Sequence, residues 1–143
     1  MIKTDKTKRN LISQTKSLFQ RKPRKSENFG SIAESKAKQF LMNQQLEFIT
    51  QNYFCRQGEI DLIMKDKNSN QLVFIEVRYR KNHHFGTALE TINSYKLNRI
   101  KTAINHYIMT NNLGYIPCRI DVIGLQGNLE SPLIDWRKNI IID

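Results

Sequence analysis

Two carboxylates stand inside apolar, strand-forming runs: Asp61 in residues 58–63 (GEIDLI) and Glu76 in residues 73–80 (VFIEVRYR). Between them, the polar run 66–70 (DKNSN) is short enough to close a hairpin. A turn centred on Asn68 and Ser69, with two or four residues in it, gives one set of facing pairs. Ile63 then faces Phe74, Asp61 faces Glu76 and Glu59 faces Arg78, all on one face because strand side chains repeat with period two. Cβ atoms directly across an antiparallel pair lie about 5 Å apart, and like charges there repel. A cation between the acids, a nearby base, or a proton held on one carboxyl by a raised pKa would relieve the repulsion. Hard oxygen ligands from one or two carboxylates suit Mg²⁺, with waters and substrate phosphates completing the shell. The alternative is a solvent-exposed face where both acids are hydrated and bridged by Arg78 or Arg80. A slip of one residue in the turn would separate the acids onto opposite faces.

Other elements must hold this hairpin in place. Ala33, Ala37, Phe40 and Leu41 recur at helical spacing and predict a helix over residues 31–45. Ser31 followed by Glu34 has the spacing of a capping box, which gives Glu34 a structural role at the helix start. The same carboxylate also lies beside the apolar stripe, where it could enter a site at the helix–sheet junction. Residues 47–53, 58–65 and 71–80 are β-prone, the last being rich in β-branched and aromatic side chains. Leu97, Ile100, Ile104, Tyr107 and Ile108 form the core stripe of a second helix, with Lys96, Arg99, Lys101 and Asn105 mostly off it. Residues 111–114 (NNLG) stop that helix, and residues 116–125 (IPCRIDVIGL) form another strand. Asp121 sits in it much as Asp61 sits in GEIDLI, and pairing with Arg119 or a neighbouring base accounts for it. The tail (LIDWRKNIIID) reads as an edge strand with Trp136 packed rather than stacked on a nucleic acid. His83 and His84 are adjacent loop residues without further ligands, which argues against zinc. That loop reads as a flexible approach to substrate anchored by Phe85 and Gly86, with Glu90 a solvated acid or helix-entry residue.

A length of 143 residues with 39% hydrophobic content fits one soluble domain. No apolar run approaches the roughly 20 residues of a membrane span, so a cytoplasmic protein is expected. Cys55 and Cys118 have no CxxC spacing and read as reduced thiols. The net charge is +10, and residues 1–28 carry nine basic and two acidic side chains of it. They read as a basic flexible leader, and residues 29–143 as a single domain. The leader could be a phosphate-binding arm, a solubilising extension or a membrane-surface tail.

Asp61, then Glu76-Val77-Arg78, resembles the acidic signature of the PD-(D/E)XK nuclease-like superfamily, in which a hairpin carries Asp and Glu-x-Lys. GEIDLI, FIEVRYR, Phe85-Gly86, and Lys96 and Arg99 opening a helix that continues to AINHYI resemble the YraN-like family of uncharacterised bacterial proteins. The likeness runs from about Gly30 to Gly124 and includes the GSIAES helix with its acidic Glu34. It implies an α/β fold with a restriction endonuclease-like core, a mixed central sheet of four or five strands flanked by helices. It implies an acidic site of Glu34, Asp61 and Glu76, with Asp61, Glu76 and the Val77 carbonyl as ligands of Mg²⁺ or Mn²⁺. The reaction implied is metal-dependent phosphodiester hydrolysis, with DNA favoured over RNA and branched or structured DNA a candidate substrate. Arg78 departs from the usual lysine. A guanidinium stays protonated and cannot act as a general base, although it can hold a phosphate. Lys96 could supply a movable amine there, or be one of several solvated bases on its helix. Arg78, Arg80, Lys96 and Arg99 are the candidate nucleic-acid contacts. The competing functions are a non-cleaving nucleic-acid-binding protein on the nuclease fold and an RNA- or ribosome-binding adaptor. No membrane partner is expected, and a homodimer is left open.

Overall fold

A computed structural model describes residues 25–82, 90 and 92–140. The expectations for residues 1–24 and for His83, His84, Phe85 and Gly86 lie outside the described residues. The elements are α1 (Lys25–Asn43), β1 (Leu46–Cys55), β2 (Gly58–Asp66), β3 (Leu72–Arg80), α2 (Ser94–Thr110), β4 (Cys118–Gln126) and β5 (Leu133–Arg137). The strands lie in sequence order in one sheet. Only β3 and β4 are parallel; the other neighbours run antiparallel. The α/β class and mixed sheet expected from the sequence are therefore present, with β5 as the edge strand expected of the tail.

The hairpin register follows from its turn. Asp66 N–H donates to the Gln71 carbonyl at 2.9 Å and Asn70 N–H to the Asp66 carbonyl at 2.8 Å, which selects the four-residue version. Asn70 takes φ +60°, a conformation that asparagine tolerates. The Asp66 carboxylate accepts the Asn68 and Ser69 N–H groups at 2.8 and 3.3 Å, so the residue before the loop builds it from its side chain. Ile63 consequently pairs with Phe74 and Leu62 with Ile75.

Alternation along β3 feeds two cores. Val73 and Ile75 join Ala33, Ala37 and Leu41 of α1, whereas Leu72 and Phe74 join Ile100, Ala103 and Ile104 of α2. Among the described residues one helix thus covers each face, a three-layer arrangement that buries both sides of the sheet. A parallel pair needs a crossover, and α2 lies in the connection from β3 to β4. Asn93 caps α2, its Oδ1 accepting Lys96 N–H at 2.9 Å. Among the described residues no helix is long and apolar enough to cross a membrane.

The start of α1 differs from the expectation. The helix begins at Lys25, six residues before the predicted start, so Ser31 lies inside it and cannot act as its N-cap. The Ser31–Glu34 spacing mimics a capping box where no helix begins. Glu34 is thereby released from a capping role.

Candidate functional site

The paired part of the hairpin ends at Leu62↔Ile75, one step before Asp61 and Glu76. Beyond it β2 stays with β1 through Tyr53↔Ile60 and Cys55↔Gly58, while β3 stays with β4 through Arg80↔Gln126. The hairpin therefore splits at the two acids. Asp61 crosses the split, its Oδ2 accepting the Val77 N–H at 2.7 Å in place of the missing ladder bond. The N–H and C=O of one strand residue point to the same side, so the Val77 carbonyl faces the same gap.

Strict alternation also fails here, which corrects the expectation that Glu59, Asp61 and Ile63 share one face. Ile60 and Ile63 both belong to the α2 core, whereas Leu62 and Met64 belong to the α1 core. The phase changes at Asp61. Its neighbour on β1 is Asn52, between the pairs Gln51↔Leu62 and Tyr53↔Ile60, and Asn52 has φ +53°. The distortion points Asp61 along the sheet toward β3 rather than out of a face, and the Asn52 side chain favours the charged form of Glu34. Sequence reasoning missed Asn52. The available signal was an asparagine inside a β-prone run, where it is disfavoured unless it adopts the left-handed region.

The sites expected from the sequence converge on one open cleft of about 370 Å³, whose walls include Glu34, Asp61, Glu76, Arg78, Arg80 and Lys96. Glu76 is 3% exposed. Lys96 Nζ lies 3.3 Å from Glu76 Oε1 and 3.4 Å from Glu59 Oε1, so it is part of the site and not one of the solvated bases of α2. Arg78 Nε is also 3.3 Å from Glu76 Oε1, an ion-pair distance without hydrogen-bond alignment. Arg99 is not in the cleft lining and lies instead against the Tyr95 ring, 6.0 Å from its centroid.

Gly58, the first residue of GEIDLI, controls how close α2 comes. A Cβ there would lie 2.2 Å from the Arg99 carbonyl oxygen and 3.4 Å from the Ala103 Cβ. Glycine permits this contact, which brings the first turn of α2, and Lys96 with it, over the acids.

The electrostatics are those of crowded acids. Burial pushes the Glu34 carboxyl up to about 7, aided by the charges of Asp61 and Glu59 and opposed by the Asn52 hydrogen bond. Burial likewise raises Glu76, with the Asp61 charge adding to it and Lys96 and Arg78 opposing it. Asp61 is raised by burial against the Val77 N–H, a hydrogen bond with Glu76, and the Lys96 charge. The two carboxyls act on each other and titrate as a pair, as expected when like charges occupy one desolvated site.

The donor set fits a hard divalent cation. Glu76 Oε2 is buried without a hydrogen-bond partner, and the Asp61 carboxylate and Val77 carbonyl border the same gap. Among the described residues no three His, Cys, Asp or Glu side chains are gathered closely enough to hold one ion. The fitting set is thus two carboxylates and a carbonyl, with Glu34 lining the same cleft. Such a small protein set is characteristic of Mg²⁺, which retains waters and takes substrate phosphate oxygens.

Asp121 belongs elsewhere. It accepts Arg119 Nε at 3.0 Å, Trp136 Nε1 at 3.1 Å and Asn139 N–H at 2.9 Å, the pairing with Arg119 expected from the sequence. Trp136 packs edge-on against Phe40, with ring centroids 6.3 Å apart.

Residues 33–125 match the family described as Uncharacterised protein family UPF0102. The chain is similar to a UPF0102 protein of Colwellia psychrerythraea, 45% identical over 112 residues that cover 77% of this chain and 85% of the relative. A UPF0102 protein of Psychromonas ingrahamii is 45% identical over 115 residues, covering 80% and 89%. One of Neisseria gonorrhoeae is 38% identical over 111 residues, covering 78% and 92%.

Proposed function

We propose that this chain, which belongs to the uncharacterised protein family UPF0102, is a metal-dependent nuclease-like protein that hydrolyses phosphodiester bonds in DNA, branched or structured DNA included. The observation that carries this reading is the split hairpin, which gathers Asp61, the partnerless Glu76 Oε2 and the Val77 backbone under two cations. Asp61, Glu76 and the Val77 carbonyl would hold Mg²⁺ or Mn²⁺. The ion supplies charge neutralisation at the scissile phosphate and lowers the pKa of an attacking water.

The chain's own side chains supply the rest. Arg78 keeps its charge and offers planar donors to a phosphate. Lys96 presents a flexible ammonium beside Glu76 and can exchange that contact for a phosphate oxygen. Glu34, pushed up to about 7 chiefly by burial, can take up or release a proton near neutrality at the edge of the cleft. Arg80 extends the positive lining toward the flanking phosphates. Two free thiols, Cys55 buried and Cys118 exposed, suit a reducing cytoplasmic setting.

A second reading, a nucleic-acid-binding protein that keeps the site without cleaving, is favoured by one observation. Arg78 occupies the position where the superfamily signature has lysine, and it is paired with Glu76 rather than free to move a proton. A panel of duplex, single-stranded, flap and four-way DNA, plus RNA, with Mg²⁺ or Mn²⁺ separates the two. Hydrolysis by wild type that Asp61→Ala and Glu76→Ala both abolish supports the nuclease. Equal activity in all three proteins rejects the site. Metal binding lost in both variants, with no hydrolysis by wild type, selects the non-cleaving reading.

A further inference from the structure

The acidic cleft continues into a space that the proposed hydrolysis does not use. Phe29, on α1, is 48% exposed, and its ring stacks on Tyr79 with centroids 6.5 Å apart and planes at 27°. Tyr79 is fixed from below: its hydroxyl donates to the Gly127 carbonyl at 2.9 Å, and Gly127 N–H donates to the Arg80 carbonyl at 2.9 Å. Phe29 and Tyr79 line both the acidic cleft and a second cavity of about 440 Å³, whose walls include Lys81, Asn82, Gly127 and Asn128.

We infer that this second cavity is a nucleobase subsite, in which a base of the strand held at the acids stacks on the Phe29–Tyr79 platform. The inference rests on the nucleic-acid reading above and adds to it a determinant of how the strand is placed. Among the described residues Phe29 belongs to neither core, and an aromatic face beside cationic side chains suits a base with its phosphate. The platform is preorganised, because Tyr79 is bonded to backbone before any ligand arrives, so little ordering is required on binding. Asn128 Oδ1 is occupied by the Glu130 N–H at 3.0 Å, which leaves its amide N–H groups as the donors for a base edge. Lys81, which follows Arg80, adds a charge for the adjoining phosphate.

The test is equilibrium binding by fluorescence anisotropy in EDTA, which prevents hydrolysis, using a labelled single-stranded 12-mer DNA and the same sugar–phosphate chain without bases. Wild type should bind the base-bearing strand about tenfold more tightly, the scale of one aromatic–base stack. Phe29→Ala should lose most of that preference and leave affinity for the abasic chain unchanged, while Phe29→Trp should retain it. A wild type without preference overturns the subsite, as does a Phe29→Ala variant that weakens both ligands equally or neither. Thermal melting of the variants checks that the fold is intact, as expected for an exposed ring. Failure of the nuclease reading shows separately: if Asp61→Ala and Glu76→Ala leave hydrolysis and Mn²⁺ binding unchanged, the acids are not the site. A protein that never hydrolyses but loses base preference in Phe29→Ala retains the subsite without the nuclease.

Discussion

Among the described residues two pairs of acids sit in this sheet, and the supply of donors makes them opposites. Asp66 and Asp121 share Arg119, whose Nη1 lies 2.8 Å from Asp66 Oδ2 and whose Nε lies 3.0 Å from Asp121 Oδ1. Backbone N–H groups of Asn68, Ser69 and Asn139 and the Trp136 indole complete their shells. Burial alone would raise Asp66, but Arg119 and the turn N–H groups overcome it and hold the carboxyl down at about 2. Asp61 and Glu76 have a thinner shell: Asp61 accepts the Val77 N–H, Glu76 Oε1 has Lys96 and Arg78 at 3.3 Å, and the buried Oε2 of Glu76 has no partner. The first cluster clamps the β2–β3 turn to β4 and to the segment after β5. The second is under-supplied with donors, the condition that a cation or substrate relieves.

The sharpest way to break the contrast is to remove Arg119. Arg119→Ala removes the counter-charge that Asp66 and Asp121 share and should cost about 3–5 kcal/mol of unfolding free energy, measured by urea denaturation at pH 7. Loss of less than about 1 kcal/mol would place this network among the weak surface pairs.

Gly58→Ala should come next, at about 1–3 kcal/mol, because its Cβ meets a backbone carbonyl that cannot rotate away. Displacement of α2 would also carry Lys96 from Glu76, so this variant should lower activity on DNA beyond its loss of stability. Activity that tracks only the folded fraction would show that the approach of α2 serves packing alone.

Neutralising the under-supplied pair should act in the other direction. Glu76→Gln should stabilise the metal-free protein at pH 8 by about 1 kcal/mol, the scale of one pKa unit, while abolishing hydrolysis. The pH dependences oppose each other as well. Asp66 has a folded pKa below the unfolded value of about 3.9, so its stabilisation is complete above that pH and is lost as pH falls through about 2. Asp61, Glu76 and Glu34 have raised folded pKa values, so above about pH 4 the unfolded chain releases protons that the folded chain retains, and stability falls as pH rises. Melting of wild type in EDTA should decline between pH 5 and 8, and Glu76→Gln should flatten the decline. If the slope is unchanged in the variant, the pair is not the source.

The register and the strands were legible because local chemistry determines them. A polar turn with Asp66 before it allows few pairings, and Ile63 opposite Phe74 followed from turn arithmetic. The convergence of Asp61 and Glu76 was legible for the same reason. The helix start was not, because Gly30 and the Ser31–Glu34 spacing look like a boundary, while the tertiary structure continues the helix back to Lys25. Asn52 and the phase change at Asp61 were hidden too, since they depend on two strands distorting together. Lys96 looked like one of several helix bases, and only the close approach at Gly58 brings it to Glu76.

Gly30 offers the smallest and most discriminating test of what the under-supplied region is for. It sits inside α1 and lines the acidic cleft, and a Cβ added there would meet nothing within 4 Å. Helix propensity alone therefore favours alanine, and Gly30→Ala should stabilise the fold by about 0.5–1 kcal/mol. If the bare backbone leaves room for DNA beside Phe29, the same methyl group should weaken DNA binding several-fold while Mn²⁺ affinity is unchanged. Calorimetric melting and anisotropy on one preparation read both quantities. A variant that is more stable and binds DNA as wild type does would mark Gly30 as an ordinary helix residue and move the substrate path away from the start of α1.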